Sequence, residues 1–302
     1  PRRRRDSTNA WVTIIRGCDK FCTFCVVPYV RGRERSLPAD EILRQVRDLA
    51  GHGFREVTLL GQTVNSYVDG DANFARLLRL VAAVDGIERV RFTSPYPVDF
   101  TDDVVAAMAE TPQVCPSLHL PVQSGSEMQL TAMQRGYTAA RYRDLVRSLR
   151  AAIPDLALTT DIITGFCGET DDDFQLTVDL MQEIRFDSAF MFMYSERSGT
   201  QAAKSMADNV PESVKKERLQ RIIKMQEEIS RQINTSMVGR QVEVLVQGQS
   251  KRRADDGSAT FYGRSLQGKV TIFPEPVPAN RIVSVDIDRT TSHTLFGKVT
   301  AP

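Results

Sequence analysis

Cysteine is scarce, with five residues in a chain of 302. So few thiols exclude a disulfide framework and suit a reducing compartment, so a cytoplasmic location is expected. A zinc ribbon needs two C-x2-C pairs, and Cys22/Cys25 is alone, with Cys115 and Cys167 isolated. No apolar run reaches the length of a membrane span, and no signal peptide is visible. Neither sign of charge is in excess: 39 Lys/Arg against 38 Asp/Glu leave +1. That balance excludes a strongly basic or acidic chain but hides an asymmetry. From Met237 onward nine Lys/Arg face six Asp/Glu, so this part carries +3 and the first 236 residues about −2. The chain also lacks an initiating Met, beginning at Pro1, and is expected to be a piece of something longer.

What is present is concentrated near the start. Cys18, Cys22 and Cys25 are spaced C-x3-C-x2-C. A cubic 4Fe–4S cluster normally takes four thiolates. Three leave one iron open to a small molecule, which is the difference between a closed structural site and an open catalytic one. Zinc, a redox dithiol and unligated thiols are the competing readings of the same residues. A dithiol leaves Cys18 unexplained.

From Trp11 to Thr200 short β-rich runs alternate with amphipathic segments. Strands are expected at 11–16, 56–60, 89–93, 117–121, 156–163 and 188–194. Helices are expected at 38–51, 73–84, 102–110, 139–152 and 170–184. Six β-then-α units predict an α/β fold, a parallel sheet rolled into a partial, TIM-like (β/α)6 barrel with right-handed crossovers. In such barrels the chemistry sits at the C-terminal ends of the strands. The polar and glycine-rich loops fall there: the cysteine loop, Gly61–Tyr67, Ser94–Pro97, Gln123–Ser126, Asp161 with Gly165–Glu169, and Ser195–Thr200. Taken singly, each glycine or serine also fits a plain turn. Cys115 precedes its strand and belongs on the opposite rim. Cys167 reads as part of a turn, His119 as a core residue, and His52 as structural.

A helix is expected over 211–239, with Leu219, Ile222, Ile223, Ile229 and Ile233 as its packing stripe. Beyond it, five short strands in about 60 residues suggest a small OB-like all-β barrel. Lys251, Arg252, Arg253, Arg264, Lys269, Arg281 and Lys298 decorate it. A basic barrel of this kind suits single-stranded nucleic acid, with Phe261, Tyr262 and Phe273 as stacking candidates or, more simply, core.

The three-cysteine motif with Phe24 before its last member resembles the signature of radical S-adenosylmethionine enzymes. Further stretches resemble the MiaB-type tRNA methylthiotransferases: Val27–Ser36, Leu60–Tyr67, His119–Ser126, Arg135–Thr138, Thr160–Phe166 and Tyr194–Thr200. The resemblance covers nearly the whole chain, and the terminal barrel resembles the RNA-binding TRAM domain.

This resemblance implies a domain plan. Residues 1–10, with the Arg2–Arg5 run, would be a linker from a missing N-terminal domain. Residues 11–236 would form the radical S-adenosylmethionine domain and 237–302 the TRAM barrel. It implies methylthiolation at C2 of an N6-isopentenyladenosine next to the anticodon. One S-adenosylmethionine would give a methyl group, and a second would be cleaved to a 5′-deoxyadenosyl radical. Cys18, Cys22 and Cys25 would ligate the radical-generating cluster. Phe24, Gly61, Gln62, Ser94, Gln123, Ser124, Arg135 and Asp161 would line the cofactor and substrate cavity, with Gly61 and Gln62 at the cofactor's amino group. Arg31, Arg33, Arg35, Lys251, Arg252 and Arg253 would meet RNA. The partners implied are a tRNA anticodon stem-loop, an electron donor such as flavodoxin or ferredoxin, and a sulfur donor, with no membrane and a monomeric protein expected.

Family members carry three further cysteines for a second 4Fe–4S cluster in an N-terminal domain. Cys115 and Cys167 cannot replace them, so this chain is expected to bind and cleave S-adenosylmethionine without completing sulfur insertion. Two alternatives stay open within enzymes: sibling branches acting on threonylcarbamoyl-adenosine or on a ribosomal-protein aspartate. One lies outside them, a non-catalytic RNA-binding module with a structural cluster.

Overall fold

The computed structural model describes residues 8–254 and 256–300. The Arg2–Arg5 run lies outside them. Six parallel strands form the first part: β1 (Asn9–Thr13), β2 (Glu56–Leu60), β3 (Arg89–Phe92), β4 (Ser117–His119), β5 (Ala157–Thr164) and β6 (Ser188–Met193). They pair as β1-β2-β3 and β4-β5-β6. A bridge between Val90 and Val114, just ahead of β4, joins the two groups into one curved wall. β1 starts at Asn9, inside the stretch expected as linker, and pairs with Glu56 through Leu60.

Helices α1 (Ala39–Gly51), α2 (Phe74–Ala82), α3 (Asp102–Glu110), α4 (Ala139–Ala152) and α5 (Asp171–Ile184) cover the outside. The strand alternation sorts side chains by face. Ala10, Val12, Val57, Leu59, Leu158 and Ile162 join one core with Ile42, Leu77, Leu149 and Met181 of the helices. Their alternates, including Trp11, Thr159, Asp161, Phe190 and Phe192, therefore face the lumen. The α5 start is held by a capping box between Thr170 and Asp173.

Helix α6 (Glu212–Thr235) leads to the second part. Its buried face is not the aliphatic stripe alone. Ile222 and Ile229 are buried, but so are Lys215, Arg218, Gln226, Ser230 and Asn234. Each of these polar groups has a tertiary partner: Lys215 pairs with Asp208, and Arg218 with Glu169 at 2.7 Å. Gln226 donates to the Phe186 carbonyl at 2.7 Å, Ser230 to that of Asp187 at 2.8 Å, and Asn234 to that of Thr291 at 2.8 Å.

The last five strands are β7 (Gln241–Arg253), β8 (Ala259–Ser265), β9 (Val270–Phe273), β10 (Ile282–Thr290) and β11 (Thr294–Val299). They close in the order β7-β8-β9-β11-β10. Closure demands close backbone approach: a Cβ on Gly297 would sit 2.1 Å from the Asp286 carbonyl oxygen, so only glycine fits. Phe273 is core, and Phe261 packs against that core.

This small barrel docks on the N-terminal ends of the large barrel's strands. Buried Arg89 donates to the Arg264 carbonyl at 2.8 Å and pairs with Glu243 at 2.9 Å. Arg91 donates to the carbonyls of Ser265 and Leu266 at 2.8 and 3.0 Å and pairs with Glu56 at 2.8 Å. Lys269 pairs with Asp187 at 2.6 Å and also donates to Asn234. Lys269 was expected on the basic outer face; instead it is an interface residue, because Asp187 and Asn234 give its ammonium partners at the docking surface. Among the described residues no helix is long and apolar enough to cross a membrane.

Candidate active site

The cysteine loop is fixed before any ligand is considered. The Cys18 N–H donates to the Gly32 carbonyl at 3.2 Å, and the Thr23 N–H to that of Met133 at 3.2 Å. The Thr23 hydroxyl donates to the Ala132 carbonyl at 2.8 Å, and the Thr23 carbonyl accepts from the Ala202 N–H at 2.8 Å. Gly17 has φ +78°, and a Cβ there would lie 2.2 Å from the Arg33 carbonyl oxygen. Residues 32–33 thus lie against the start of the loop. These contacts come from three separate segments, at 32–33, 132–133 and 202, so the three thiols are held in place by the fold.

All three cysteines line one cavity of about 400 Å3. Gly61, Gln62, Ser94, Gln123, Arg135 and Asp161 line it with them. A second lobe of about 340 Å3 shares Phe24, Cys25, Val27, Gln123 and Asp161, and continues over Ile163, Phe192, Tyr194 and Arg197. The Phe24 ring stands edge-on to Phe166. One lobe carries the three thiols, and the other is bordered by Phe24, Phe192 and Tyr194.

Backbone strain gathers at this rim. Among the described residues six non-glycine residues have positive φ, and four of them, Phe21, Ser94, Gln123 and Gln134, lie in the rim loops. Such conformations cost free energy and persist where the surrounding structure over-determines them. The Asn65 side chain braces the Ser94 loop, accepting from the Tyr96 N–H at 2.7 Å and donating to its carbonyl at 2.8 Å.

Arg135 is the charged centre. Its guanidinium donates to Cys22 Sγ at 3.2 Å and to the Pro121 carbonyl at 3.2 Å, and it lies over the Tyr96 ring at 4.7 Å. Burial alone would lower its pKa, but Tyr137, Cys22 and Tyr96 outweigh that and hold it above the ordinary value. Burial also pushes the Cys18 and Cys25 thiols up. The Val27 N–H donates to Cys25 Sγ at 3.5 Å. These are the contacts by which a protein tunes thiolates bound to iron.

A family model confirms what this arrangement suggests: the radical SAM superfamily model matches residues 12–181. The chain belongs to the radical SAM superfamily. A TRAM domain model matches residues 235–300. The chain is 48% identical over 98% of its length to a tRNA-2-methylthio-N(6)-dimethylallyladenosine synthase of Acetivibrio thermocellus, of which it covers 62%. It is 50% identical over 95% of its length to the enzyme of that name from Salinispora arenicola, of which it covers 58%. It thus spans about 60% of the length of these curated relatives. Solved structures share the fold at low identity. Coproporphyrinogen III oxidase from Escherichia coli matches with TM-score 0.54 at 16% identity, covering 87% of this chain and 68% of that one. The methyltransferase TsrM from Kitasatospora setae matches with TM-score 0.54 at 15%, covering 84% and 43%.

The residues of this radical SAM chain fit the cofactors of the superfamily. Among the described residues no three His, Cys, Asp or Glu groups converge tightly enough for a single metal ion. A cubane needs no such convergence, because each thiolate takes a different iron. The Gln62 Oε1 atom is buried without a hydrogen-bond partner. An unmet acceptor beside three thiols fits an ammonium donor such as the amino group of methionine.

Other expected site residues are placed differently. Ser124 lines neither lobe; it is fully buried, hydrogen-bonded to Thr177 at 3.1 Å. The cause is Gly125, whose absent Cβ lets the loop press on the α5 backbone at Leu176 and Thr177. His119 is not a core residue: its Nε2 lies 3.4 Å from Asp161 Oδ2 and its Nδ1 3.0 Å from Thr159 Oγ1. Cys115 is buried at the opposite end beside Arg91 and Glu56, and Cys167 in a cluster with Met133, Phe166 and Tyr194. Gly61 borders the cavity, but a Cβ there would meet Ile15 Cγ2 at 2.0 Å, so strand packing alone requires glycine.

The basic groups divide. Arg31 and Arg35 are exposed, whereas Arg33 is paired with Asp19 at 2.7 Å. Lys251, Arg252 and Arg253 are exposed on β7. The Arg252 and Arg289 guanidiniums lie 5.1 and 4.0 Å from the Phe296 ring. Arg289 has no signal in the sequence, whereas Asn65 and Tyr96 lie inside the Gly61–Tyr67 and Ser94–Pro97 rim loops, with nothing local to show that they brace one another.

Proposed function

We propose that this chain is the catalytic and RNA-binding part of a tRNA methylthiotransferase, acting at C2 of N6-dimethylallyladenosine next to the anticodon. The observation that carries this is three C-x3-C-x2-C thiols at the mouth of a two-lobed cavity, in a chain about half identical to synthases of that name. Bound there, a 4Fe–4S cluster with S-adenosylmethionine supplies radical chemistry. Cys18, Cys22 and Cys25 would hold the cluster. Gln62 accepts from the amino group of the cofactor, and Arg135 offsets the thiolate charge at Cys22. The aromatic lobe beside Phe24, Ile163 and Tyr194 takes a flat purine. Asp161 and Gln123, common to both lobes, orient the groups that meet between them.

These residues provide for one cluster. Sulfur insertion needs a second, which Cys115 and Cys167 cannot ligate from where they are buried. The TRAM barrel offers Lys251, Arg252 and Arg253 to the stem-loop phosphates. A flavodoxin- or ferredoxin-type electron donor, a sulfur donor, a cytoplasmic location and a monomeric protein complete the reading.

Mass spectrometry of tRNA nucleosides from a strain lacking the gene tests it. The methylthio group is expected to vanish from dimethylallyladenosine while the dimethylallyl group remains. Loss of a methylthio group from threonylcarbamoyl-adenosine instead would assign the chain to a sibling branch.

A further inference from the structure

Three residues separate Cys18 from Cys22, and each is anchored to a different part of the chain. The Asp19 carboxylate accepts from Arg33 Nε at 2.7 Å, from Arg33 Nη2 at 3.1 Å and from the Glu34 N–H at 3.1 Å. The Lys20 ammonium lies 2.5 Å from Asp99 Oδ2, a buried atom, and 5.0 Å from the centre of the Tyr96 ring. Phe21, held at φ +45°, stands edge-on to Tyr29 at 6.0 Å. The spacer is therefore a set of tethers, not slack between two thiols.

The Asp19 tether reaches furthest. Arg33 was expected at RNA, and its side chain is 77% exposed, yet its fork closes on one carboxylate. A bidentate fork adds geometric definition as well as attraction, while an exposed ion pair contributes little to global stability. The backbone around Arg33 is fixed independently. Ile15 and Arg16 pair antiparallel with Ser36 and Arg35, and the Leu37 N–H donates to the Ile14 carbonyl at 2.8 Å. Glu34 continues the line, its carboxylate accepting from the Thr63 hydroxyl at 2.5 Å. Thr63 follows Gln62, whose buried Oε1 has no partner beside the thiols. Side-chain contacts thus run from between two of the three thiols to the loop that carries Gln62.

Resting on the reading that the three thiols hold a cluster, we propose that Arg33 is a positioning residue of the cysteine loop and not an RNA contact. Through Asp19 it sets the path from Cys18 to Cys22, and Glu34 ties that path to the Gln62 loop. Contacts outside the coordination shell orient the ligand groups of a metal site and raise its affinity. The pair is exposed, so its loss should be felt at the site before it is felt in folding.

The test uses the whole 302-residue chain after anaerobic reconstitution. It reads iron loss to a ferrous-iron chelator, the urea midpoint, and binding of a fluorescent anticodon stem-loop. Arg33→Ala is expected to lose iron several-fold faster than the wild type, with urea midpoint and stem-loop affinity little changed. Arg33→Lys, which keeps the charge and loses the fork, should fall between the two. Glu34→Ala leaves the backbone bond to Asp19 in place. It should retain iron as the wild type does and bind S-adenosylmethionine several-fold more weakly, read from the change in the cluster's spectrum. Iron retention in Arg33→Ala equal to the wild type, or iron loss that tracks a lowered urea midpoint, overturns the inference. So does wild-type cofactor affinity in Glu34→Ala. A fall in stem-loop affinity with iron retained gives Arg33 to RNA and overturns it too. A wild type that assembles no cluster defeats the cluster reading and the inference with it.

Discussion

Arg89→Ala is the sharpest probe of how the two barrels are joined. The side chain is almost fully buried, 1% exposed, and reaches across the interface to the Arg264 carbonyl, the Glu243 carbonyl and the Glu243 carboxylate. The carboxylate is about half exposed, so that pair contributes under about 1 kcal/mol. The carbonyls matter more. Leaving a buried acceptor unmet costs roughly 1–3 kcal/mol, and the lost aliphatic stem adds a cavity term of about 1 kcal/mol. One gain offsets these: Arg89 Nε is buried without a partner, and its removal relieves that cost. The sum is a destabilisation of roughly 2–3 kcal/mol. Urea unfolding followed by circular dichroism measures it, with Arg89→Met, which keeps the stem, expected to lose less. In a double-mutant cycle with Glu243→Ala the coupling should stay below about 1 kcal/mol. Cluster content should not change, because β3 carries the chain about 10 Å from Arg89 at the interface to Phe92 at the rim end, at about 3.3 Å per residue. An Arg89→Ala loss below about 0.5 kcal/mol, or two separate wild-type transitions, would refute this picture of a single interlocked unit.

Two further outcomes follow from particular contacts. Burial would raise the Asp173 pKa, but hydrogen bonds from Ser126 and Thr170 prevail and hold it below the ordinary carboxylate value. Its stabilisation is present above the unfolded pKa of about 3.9 and is lost as pH falls through the folded value. Asp173→Asn should therefore cost about 1–2 kcal/mol at neutral pH, with the gap to wild type closing on acidification; a pH-independent gap in urea midpoints would contradict this. Arg135→Gln removes a positive donor from Cys22 Sγ, which favours the oxidised cluster. Its midpoint potential in an EPR-monitored titration should move to more negative values, and an unchanged potential would contradict the role.

Much of the fold was legible because hydrophobic period and turn chemistry agreed. Glu56–Leu60, Asp102–Glu110 and Ala139–Ala152 have the bounds that periodicity predicts. The cysteines were legible because metal-ligand spacing is local. What escaped depended on contacts distant in sequence. Ser124 resembles any rim serine until Gly125 brings it against Thr177. Lys269 resembles any surface lysine until docking sets it beside Asp187. In α6 a stripe rule ranks isoleucine above Lys215, Arg218 and Asn234, yet their partners lie on other elements and bury them. The strand Ser188–Met193 reads as apolar whether the lumen beside it is filled or open, so the exposure of Phe190 and Phe192 could not be seen.

Iron and sulfide content after anaerobic reconstitution tests the central claim most directly. The wild type is expected to hold about four irons and four sulfides per chain, with a spectrum that changes on adding S-adenosylmethionine, while Cys22→Ala holds little of either. A wild type that assembles no cluster, or a Cys22→Ala variant that assembles and responds as the wild type does, would contradict it.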